Sequence, residues 1–491
     1  MQKNWRSNYL FIAAVLGVFL LFIFLRLYRI SESLLFFNDI GRDFLVLLNW
    51  LETGKPPLLG PQTSAIPYNQ SAWYFYLLYP LFIITNHSLF STIYTNILWY
   101  VFGFTALFWW LRDSKISVAA LLTVFFLITI APQVIIQHRF IWNPSFVLLP
   151  LLAAELALLQ LQQRYSKLSV VIFGVSAAFA VALTYSVIPA VLVMLVVSIW
   201  TLKKQSIQLL FASGIAAAFF NLPTLVFELR HGFILTKMLF QPERSNVVAK
   251  SLNEQIPTAL SHLLVVGQPE RLIIATAFLL VCGVLLAFAL NKKFVEQISV
   301  ETKITSFIAL CTFIFTVAAP IAMHAHYIFG ILVTAFVAIA YFPQKIKWLF
   351  VVALTVFWMQ PGQLNAYFAR AYRTPEETQN CVLEQCTRMD QPFYVSVQSG
   401  LHPYHDGMEF KYLFRDAGCH VPEISISSDQ AQQMVVVVDS SGFELGKTTY
   451  NELTQFGTAK EIRRDRCGSL LEFVVLEKSK SVLEPVLDNH K

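Results

Sequence analysis

The sequence predicts a polytopic α-helical membrane protein with a small α/β domain at its C-terminal end. Of its 491 residues, 56% are hydrophobic and only 13% are charged, and the mean hydropathy is +0.58. Soluble domains usually contain about 45–50% apolar and about 25% charged residues, so most of this chain suits lipid rather than water. The net charge of +6 comes from short basic groups beside apolar runs. Such groups are typical of topology signals and do not indicate a nucleic-acid groove, so no nucleic-acid partner is expected.

Apolar runs define the predicted membrane part, residues 1–361. A spanning helix needs about 20 apolar residues. The first run, near 9–25, is too long for a cleaved signal peptide, so it is expected to remain as an anchor. The other runs lie near 88–111, 115–132, 144–161, 168–184, 187–202, 206–228, 272–291, 303–321, 326–342 and 347–361. The sequence therefore predicts about eleven spans, some of them short.

Basic residues between the runs predict the orientation of the chain. If the N-terminus is cytoplasmic, the basic groups at 112–115, 162–164, 203–204, 291–293 and 345–347 all fall on the cytoplasmic side. This holds only if the short aromatic segment 73–86 lies in the interface instead of crossing the membrane. External loops then run from 27 to 87 and from 229 to 271, and everything after 361 is also external. The expected location is the cell membrane, with several spans.

The C-terminal part, residues 362–491, has the pattern of an α/β domain. Apolar stretches of strand length occur at 392–397, 434–439 and 471–476. Two short helices are predicted at 408–417 and 449–456, each followed by a glycine. This extracytoplasmic domain contains no evident catalytic motif, so we expect a lid or a scaffold.

The same domain contains four of the six cysteines, Cys381, Cys386, Cys419 and Cys467. An oxidising exterior allows them to form two disulfides, with three possible connectivities. Zinc binding by the four is the alternative, although their spacing matches no common zinc motif.

The polar residues that could carry chemistry lie on the predicted external face. Asn38-Asp39 and Arg42-Asp43 open segment 41–51, whose apolar residues suit a helix lying on the membrane. Ionisable groups at a membrane boundary are costly and usually functional. Asp39 could instead be a helix N-cap, and Asp43 could form a solvated pair with Arg42. Arg42 and Lys55 are the candidates for binding the substrate or its phosphate in the same loop.

Two further basic clusters lie in predicted external turns. Arg139, which follows His138, could bind a phosphate or could extend to the lipid headgroups. Arg230 and His231, at an outer helix end, suit an anionic ligand, although Glu228 could pair with Arg230 for structure alone.

A fourth cluster contains His324, His326 and Tyr327. Two histidines two residues apart share a side of a strand but not of a helix, so they give little support to a metal site, and no metal ligands are assigned. We expect His326 and Tyr327 to hydrogen-bond a phosphate or a sugar. Together the clusters suit an enzyme in which a carboxylate deprotonates an acceptor while cations stabilise a departing phosphate.

The order of features along roughly the first 240 residues resembles that of the GT-C glycosyltransferases. One span precedes an external loop with Asp39 and Arg42, then an amphipathic helix, a Gly-Lys-Pro-Pro turn at 54–57 and an aromatic segment that begins at Trp73. Within this superfamily the chain looks most like the protein mannosyltransferase and lipid A aminoarabinose transferase branch. The turns at 139–144 and 227–232 look like those of bacterial relatives, and the later spans match by layout.

This resemblance implies transfer of a hexose or pentose from a polyprenyl-phosphate carrier to an acceptor on the outer face, with inversion and usually without a required metal. No cofactor is expected, and a divalent metal stays open. Asp39 matches the loop carboxylate that acts as a base or orients the acceptor. The family often has two adjacent acids where this chain has Asn38-Asp39, which leaves Asp43 as the second candidate. The expected partners are the lipid-linked donor, membrane lipids and a glycan, lipid or protein acceptor.

Two other functions fit the same sequence. A glycolipid flippase would bind the carrier phosphate in a basic outer cavity without any transfer chemistry. A non-catalytic scaffold would use the external domain to bind a partner.

Overall fold

The computed structural model describes residues 9–63, 68–112, 114, 116–240, 251–264, 276–284, 298–319, 323–399, 406–439, 443–447, 451–468 and 471–479. The chain divides into two compact units. The first comprises Met1–Ile30 and Pro56–Phe368, and the second comprises Ser31–Lys55 and Ala369–Lys491. The sequence prediction assigned residues 31–55 to the membrane part, whereas the structure groups them with the C-terminal domain.

Helices make up most of the described chain. In chain order they are α1 (Tyr9–Leu27), α2 (Ile30–Ser33), α3 (Asn38–Thr53), α4 (Trp73–Ile84), α5 (Ser91–Leu111), α6 (Val118–Ile130), α7 (Pro132–Gln137), α8 (Leu148–Gln163), α9 (Lys167–Leu183), α10 (Ile188–Leu202), α11 (Ser206–Phe220), α12 (Leu222–Arg230), α13 (Ile234–Leu239), α14 (Leu252–Leu264), α15 (Val300–Ala318), α16 (Phe329–Tyr341), α17 (Gln344–Trp358), α18 (Pro361–Tyr367), α19 (Pro375–Thr387), α20 (Met408–Asp416) and α21 (Asn451–Phe456). Residues 276–284 are also helical. The strands are β1 (Phe393–Gln398), β2 (Gln433–Val438), β3 (Ala459–Cys467) and β4 (Leu471–Lys478).

Several helices of the first unit are apolar enough to lie in a membrane. Among the described residues, three stretches have the length and composition of a span, namely Asn143–Gln163, Tyr185–Phe220 and Val300–Ala318. Shorter apolar helices are Phe11–Leu27, Trp73–Ile84, Val118–Ile130, Lys167–Leu183 and Ala325–Tyr341. The number of eleven spans therefore stays a prediction, and predicted span 272–291 lies mostly outside the described residues.

The predicted span 206–228 is interrupted in the structure. Helix α11 ends at Phe220, and α12 begins at Leu222 with Pro223 in its first turn. Proline has no backbone N–H to donate, so it suits the start of a helix and not its interior. The polar residues Glu228 and Arg230 consequently lie on a separate short helix.

Helix α8 lies at the centre of the first unit. Leucine and alanine lie on all sides of this helix, and 94% of the apolar residues' stretch within Asn143–Gln163 is buried. A helix that is hydrophobic all round is expected in a core, and helices α9, α10 and α16 pack against α8. Glu155 lies within this buried helix.

The second unit contains a four-stranded sheet with the order β1-β2-β4-β3. Strands β1 and β2 are parallel, with Phe393 opposite Gln433, and β4 runs antiparallel to both of its neighbours. Three of the strands and the helices α20 and α21 were predicted from sequence, whereas α18 and α19 were not, and the small C-terminal sheet is confirmed. Strand β3 was missed because its sequence, Ala-Lys-Glu-Ile-Arg-Arg-Asp-Arg-Cys, is mostly charged, as suits an exposed edge strand.

Two disulfides tie helix α19 to the rest of the second unit. Cys381 is bonded to Cys467 in β3, and Cys386 is bonded to Cys419 just after α20. The structure thereby selects one of the three connectivities and replaces the zinc alternative.

Helix α3 is packed against α20 within the second unit. Its apolar residues Phe44 and Leu47 are fully buried, and the Phe44 ring lies 5.1 Å from that of Tyr412. A Cβ atom at Gly41 would lie 2.2 Å from the backbone nitrogen of Glu409, so only glycine permits this approach. The prediction of a helix lying on the membrane is therefore wrong for this face, because protein covers the apolar side chains.

Candidate functional site

Arg42 links the two candidate carboxylates at the start of α3. Its Nη1 donates to Asp39 Oδ1 at 3.1 Å, and its Nε and Nη2 donate to Asp43 Oδ1 at 3.0 and 2.9 Å. The spacing of three residues brings Asp39 and Arg42 to the same face of a helix. One guanidinium therefore serves two carboxylates, and the group of three carries a formal charge of −1.

The two carboxylates differ in exposure. The Asp43 side chain is 1% exposed, whereas Asp39 is 41% and Arg42 is 32% exposed. A buried carboxylate is tolerated only when it is paired and hydrogen-bonded, which explains why Arg42 directs two donors at Asp43. The alternative of a solvated Asp43 is therefore wrong. Asp39 is therefore the more accessible of the two carboxylates, and Asp43 is bound to Arg42 inside the protein.

The N-cap alternative for Asp39 is also excluded. Helix α3 begins at Asn38, and Phe37 occupies the N-cap position without a side-chain cap. Asp39 is the second residue of the helix, where its charge is favoured by the helix dipole. Asn38 instead binds α20, because its Oδ1 accepts from the Met408 nitrogen at 3.3 Å. Gly407, at the N-cap of α20, has no side chain that could accept this bond.

Lys55 lies beyond the opposite end of α3. Gly54 ends the helix in the left-handed conformation with φ of 67°, and the Lys55 nitrogen donates to the Thr53 hydroxyl at 3.2 Å. Sixteen residues of helix separate the two ends, which is about 24 Å along the axis. The structure therefore does not bring Lys55 to Asp39 through this helix, and the Lys55 side chain is exposed.

Arg139 stabilises the end of helix α1. Its Nη1 donates to the carbonyls of Leu25, Arg26 and Tyr28 at 3.3, 3.0 and 3.1 Å. Its guanidinium also lies 5.0 Å from the centre of the Phe368 ring. Burial lowers the pKa of Arg139 to about 10, so it stays charged at neutral pH. These contacts give Arg139 a structural role in place of the expected phosphate contact or headgroup contact.

His138 is built into the core beside an arginine that the sequence analysis missed. The ring is fully buried, 4.5 Å from that of Tyr100. Burial and the Arg26 charge hold the pKa of His138 well below its usual value, so the ring is neutral. Arg26 is itself fully buried and donates to the carbonyls of Thr129 and Ile128 at 2.6 and 3.2 Å. The sequence signal that could have identified Arg26 is its position in the last turn of the first apolar helix.

The cluster at the end of α12 is arranged differently from the expected ion pair. Glu228 accepts bonds from the backbone nitrogens of Leu235 and Thr236, each at 2.9 Å. It therefore caps α13 and does not pair with Arg230. His231 stacks on Phe227 with ring centres 4.0 Å apart. Arg230 and His231 are both exposed.

His326 joins two of the predicted clusters. Its ring lies 4.4 Å from that of Trp142, in the turn after Arg139, and 4.3 Å from that of Tyr327. His262 of α14 interacts electrostatically with His324 and His326, which the sequence analysis did not anticipate. Within the described ranges, no group of three His, Cys, Asp or Glu side chains has the geometry to hold a metal ion.

The candidate residues fall in both units. Asp39, Arg42, Asp43 and Lys55 belong to the second unit, whereas His138, Arg139, Arg230, His231, His326 and Tyr327 belong to the first. Among these candidate residues, two carboxylates share one cation only at the start of α3, where Arg42 binds both Asp39 and Asp43.

Comparisons with known proteins give a likeness of structure alone. The sequence matches no protein-family model, and no curated protein sequence matches it significantly. The crystal structure of ArnT from Cupriavidus metallidurans bound to undecaprenyl phosphate is similar with a TM-score of 0.61 and 11% identity, over 97% of this chain and 99% of that chain. The arabinofuranosyltransferase AftD from Mycobacteria gives a TM-score of 0.46 and 12% identity, over 96% of this chain and 40% of that one. The chain thus has the fold of ArnT along almost its whole length, which confirms the GT-C fold expected from the sequence.

Proposed function

We propose that this protein is an integral-membrane glycosyltransferase that uses a polyprenyl-phosphate sugar as its donor. The observation that carries this proposal is the whole-length likeness to ArnT, whose structure contains undecaprenyl phosphate. The half-exposed Asp39, held by Arg42 at the start of α3, supplies the reactive carboxylate that such a transfer needs.

The proposed reaction is a single displacement at the anomeric carbon of the sugar. Asp39 takes a proton from an acceptor hydroxyl or amine, and the acceptor atom forms a bond to that carbon. The bond between the carbon and the phosphate oxygen breaks, and the polyprenyl phosphate leaves with the electron pair, so the configuration is inverted. General-base help of this kind typically contributes about 10² to 10⁴ in rate.

Arg42 and Asp43 position this base. Arg42 is shared with Asp43, so it orients the Asp39 carboxylate without neutralising the group as a whole. Asp43 is buried and acts through Arg42. We therefore assign Asp43 as a positioning residue and not as the second catalytic acid that the sequence suggested.

The carrier phosphate needs cations that are free to reach it. Arg230 is exposed and is our proposed phosphate ligand in the first unit, with hydrogen bonds from His231, His326 and Tyr327. Lys55 is left out because it lies at the far end of α3 from Asp39. His138 and Arg139 are left out of this set because their contacts belong to the packing around α1. A cation beside the departing phosphate stabilises the charge that develops there.

We also propose that transfer occurs on the outer face of the cell membrane. The two disulfides support an oxidising location for the second unit, and Asp39 belongs to that unit. The acceptor is a glycan, lipid or protein that reaches this face.

The test is complementation of cells that lack the gene, with wild type, Asp39→Asn or Glu52→Gln. Envelope glycans are compared by mass spectrometry, and undecaprenyl-phosphate binding to the purified proteins is measured in nanodiscs. Glu52 is an exposed acid at the other end of the same helix, so it is the matched control. We expect Asp39→Asn to lose the sugar and keep lipid binding, while Glu52→Gln keeps both. Full transfer by Asp39→Asn would exclude Asp39 as the base. Movement of the lipid across the membrane without any change in envelope sugar would favour the flippase.

A further inference from the structure

Glu155 is a carboxylate buried inside the membrane part. It lies within the stretch Asn143–Gln163, one of the described stretches apolar enough to span a membrane. Its exposed fraction is 0%, and neither of its oxygens has a hydrogen-bond partner within the described part of the chain. Its neighbours in sequence are leucine and alanine, which offer no side-chain donor. The mechanism proposed above does not use this residue.

A second polar group without a hydrogen-bond partner in the described residues lies on the facing helix, α16. The Tyr341 hydroxyl, at the end of α16, is buried and also without a partner in the described residues. The Tyr341 phenol interacts electrostatically with Glu155 and with Glu301. Side chains on a helix point back toward its N-terminus, so a tyrosine in the last turn reaches into the bundle. Helices α8 and α16 pack against each other.

The polar groups continue from this pair to the ends of three helices. Glu301 lies in the first turn of α15. It accepts a hydrogen bond at 2.8 Å from Nε2 of Gln163, which is the last residue of α8. The Thr302 hydroxyl donates to the Tyr341 carbonyl at 2.5 Å. Gln163, Glu301, Thr302 and Tyr341 therefore form a polar group where these helix ends meet, and Tyr341 is its member that interacts with Glu155.

The protonation state of Glu155 follows from these surroundings. An ionised carboxylate without a partner is strongly disfavoured in a low-dielectric interior, and such a group takes up a proton instead. The protonated carboxyl is both a donor and an acceptor, and one water between them would let it share its proton with the Tyr341 hydroxyl. Ionisable groups inside membrane spans commonly mark proton or ion sites.

We propose that Glu155 is a proton-binding site inside the membrane bundle, reached from the end where Tyr341 and Glu301 lie. The ligand is the proton itself, and the site is separate from the transfer chemistry at Asp39. This inference does not rest on the proposed glycosyltransferase activity.

Carbodiimide labelling of the full-length protein in nanodiscs tests the site. An apolar carbodiimide adds a protonated carboxyl across one C=N bond, the proton moves to nitrogen, and an acyl shift gives a stable N-acylurea. We expect peptide mass spectrometry to find this adduct on Glu155 with dicyclohexylcarbodiimide but not with a water-soluble carbodiimide. The exposed Asp39 is the matched control and should react with the water-soluble reagent, and Glu155→Gln should remove the buried adduct.

Three outcomes overturn the proposal. The first is an unmodified Glu155 in the folded protein when the denatured protein is modified by the same reagent. The second is labelling by the water-soluble reagent, which would make the site open. The third is protection by Na⁺ at constant pH, which would make it a cation site.

Infrared spectroscopy tests the role of Tyr341. The difference between wild type and Glu155→Gln should contain one protonated-carboxyl band. Tyr341→Phe removes the hydroxyl that would hold the bridging water, so the carboxyl loses this hydrogen bond and the band should move to higher frequency. Tyr165→Phe, which removes an exposed hydroxyl bonded to Gln208, should leave it in place. An unchanged band in Tyr341→Phe would overturn the assigned partner and route.

Discussion

At the scale of single residues, substitutions at Asp39 and Asp43 are expected to change stability by different amounts. Asp43 is buried and accepts two bonds from Arg42, whereas Asp39 is half-exposed and accepts one. Hydrogen bonds to charged groups contribute about 1.5–3 kcal/mol when buried, and exposed ion pairs contribute about 0–1 kcal/mol. We expect Asp43→Asn to lower the free energy of unfolding by about 1–3 kcal/mol and Asp39→Asn to change it by less than about 1 kcal/mol.

Denaturant unfolding of both variants, followed through the protease resistance of the second unit, measures this difference. Transfer activity should fall in both variants, since Asp43 keeps Arg42 against Asp39. Equal stability of the two variants would mean that the difference in burial has no energetic consequence. That result would remove the distinction between a reactive and a positioning carboxylate.

Two arginines allow a similar separation in the first unit. Arg139 is buried and donates to three carbonyls, whereas Arg230 is exposed. Removing a buried charged donor leaves several carbonyls unsatisfied, which typically costs about 1–3 kcal/mol. We expect Arg139→Ala to lower the melting temperature by several degrees, and Arg230→Ala to keep it while weakening the binding of undecaprenyl phosphate.

Thermal unfolding and lipid titration in nanodiscs give both readouts. Weaker binding in Arg139→Ala together with an unchanged melting temperature would restore Arg139 as a phosphate ligand. Unchanged binding in Arg230→Ala would remove Arg230 from the proposed set.

At the scale of elements, the close approach of α3 to α20 determines where Asp39 lies. A Cβ atom at Gly41 would meet the backbone of Glu409 at 2.2 Å, and a backbone atom cannot rotate away as a side chain can. Overpacking of this kind costs about 1–3 kcal/mol. We expect Gly41→Ala to displace the start of α3, to lower stability by about that amount and to reduce transfer.

Gly214→Ala is the matched control. This glycine also lies in a helix, but a Cβ atom there would meet nothing within 4 Å. Replacing an unconstrained helical glycine with alanine stabilises by roughly 0.5–1 kcal/mol. Comparable transfer rates in Gly41→Ala and wild type would show that α20 does not position the carboxylate.

The same pair of helices shows what the sequence can and cannot predict. The amphipathic pattern of residues 41–51 correctly predicts a helix, and Asp39 and Arg42 fall on one face because of their spacing. The pattern does not reveal what covers the apolar face, because lipid and protein are equally apolar. The covering helix begins at Met408, far away in the sequence, and its charged and aromatic residues give no sign of this partner. His138 and Arg139 were misjudged for a related reason, since a basic pair near a turn looks the same whether it meets a ligand or a helix end.

At the scale of the whole molecule, the grouping of Ser31–Lys55 with Ala369–Lys491 changes how a truncation would be interpreted. Deleting residues 362–491 would remove the partner of α3 along with the domain. Loss of function after that deletion is therefore expected of an enzyme and of a scaffold alike. Only point changes at Asp39 distinguish these two functions.

The disulfides provide a gentler perturbation of the same unit. They close loops of 86 and 33 residues around α19. Loops of this size stabilise by about 3–5 kcal/mol each in the chain-entropy account, although the two overlap and do not simply add. We expect reduction with dithiothreitol to destabilise the second unit and, because α3 belongs to it, to abolish transfer while undecaprenyl-phosphate binding to the first unit is retained. Protease resistance, lipid binding and transfer are measured in parallel. Cys282→Ser and Cys311→Ser, which alter the free cysteines, are the controls and should respond to reduction like wild type. Full transfer by the reduced protein would mean that the reactive carboxylate does not depend on the second unit.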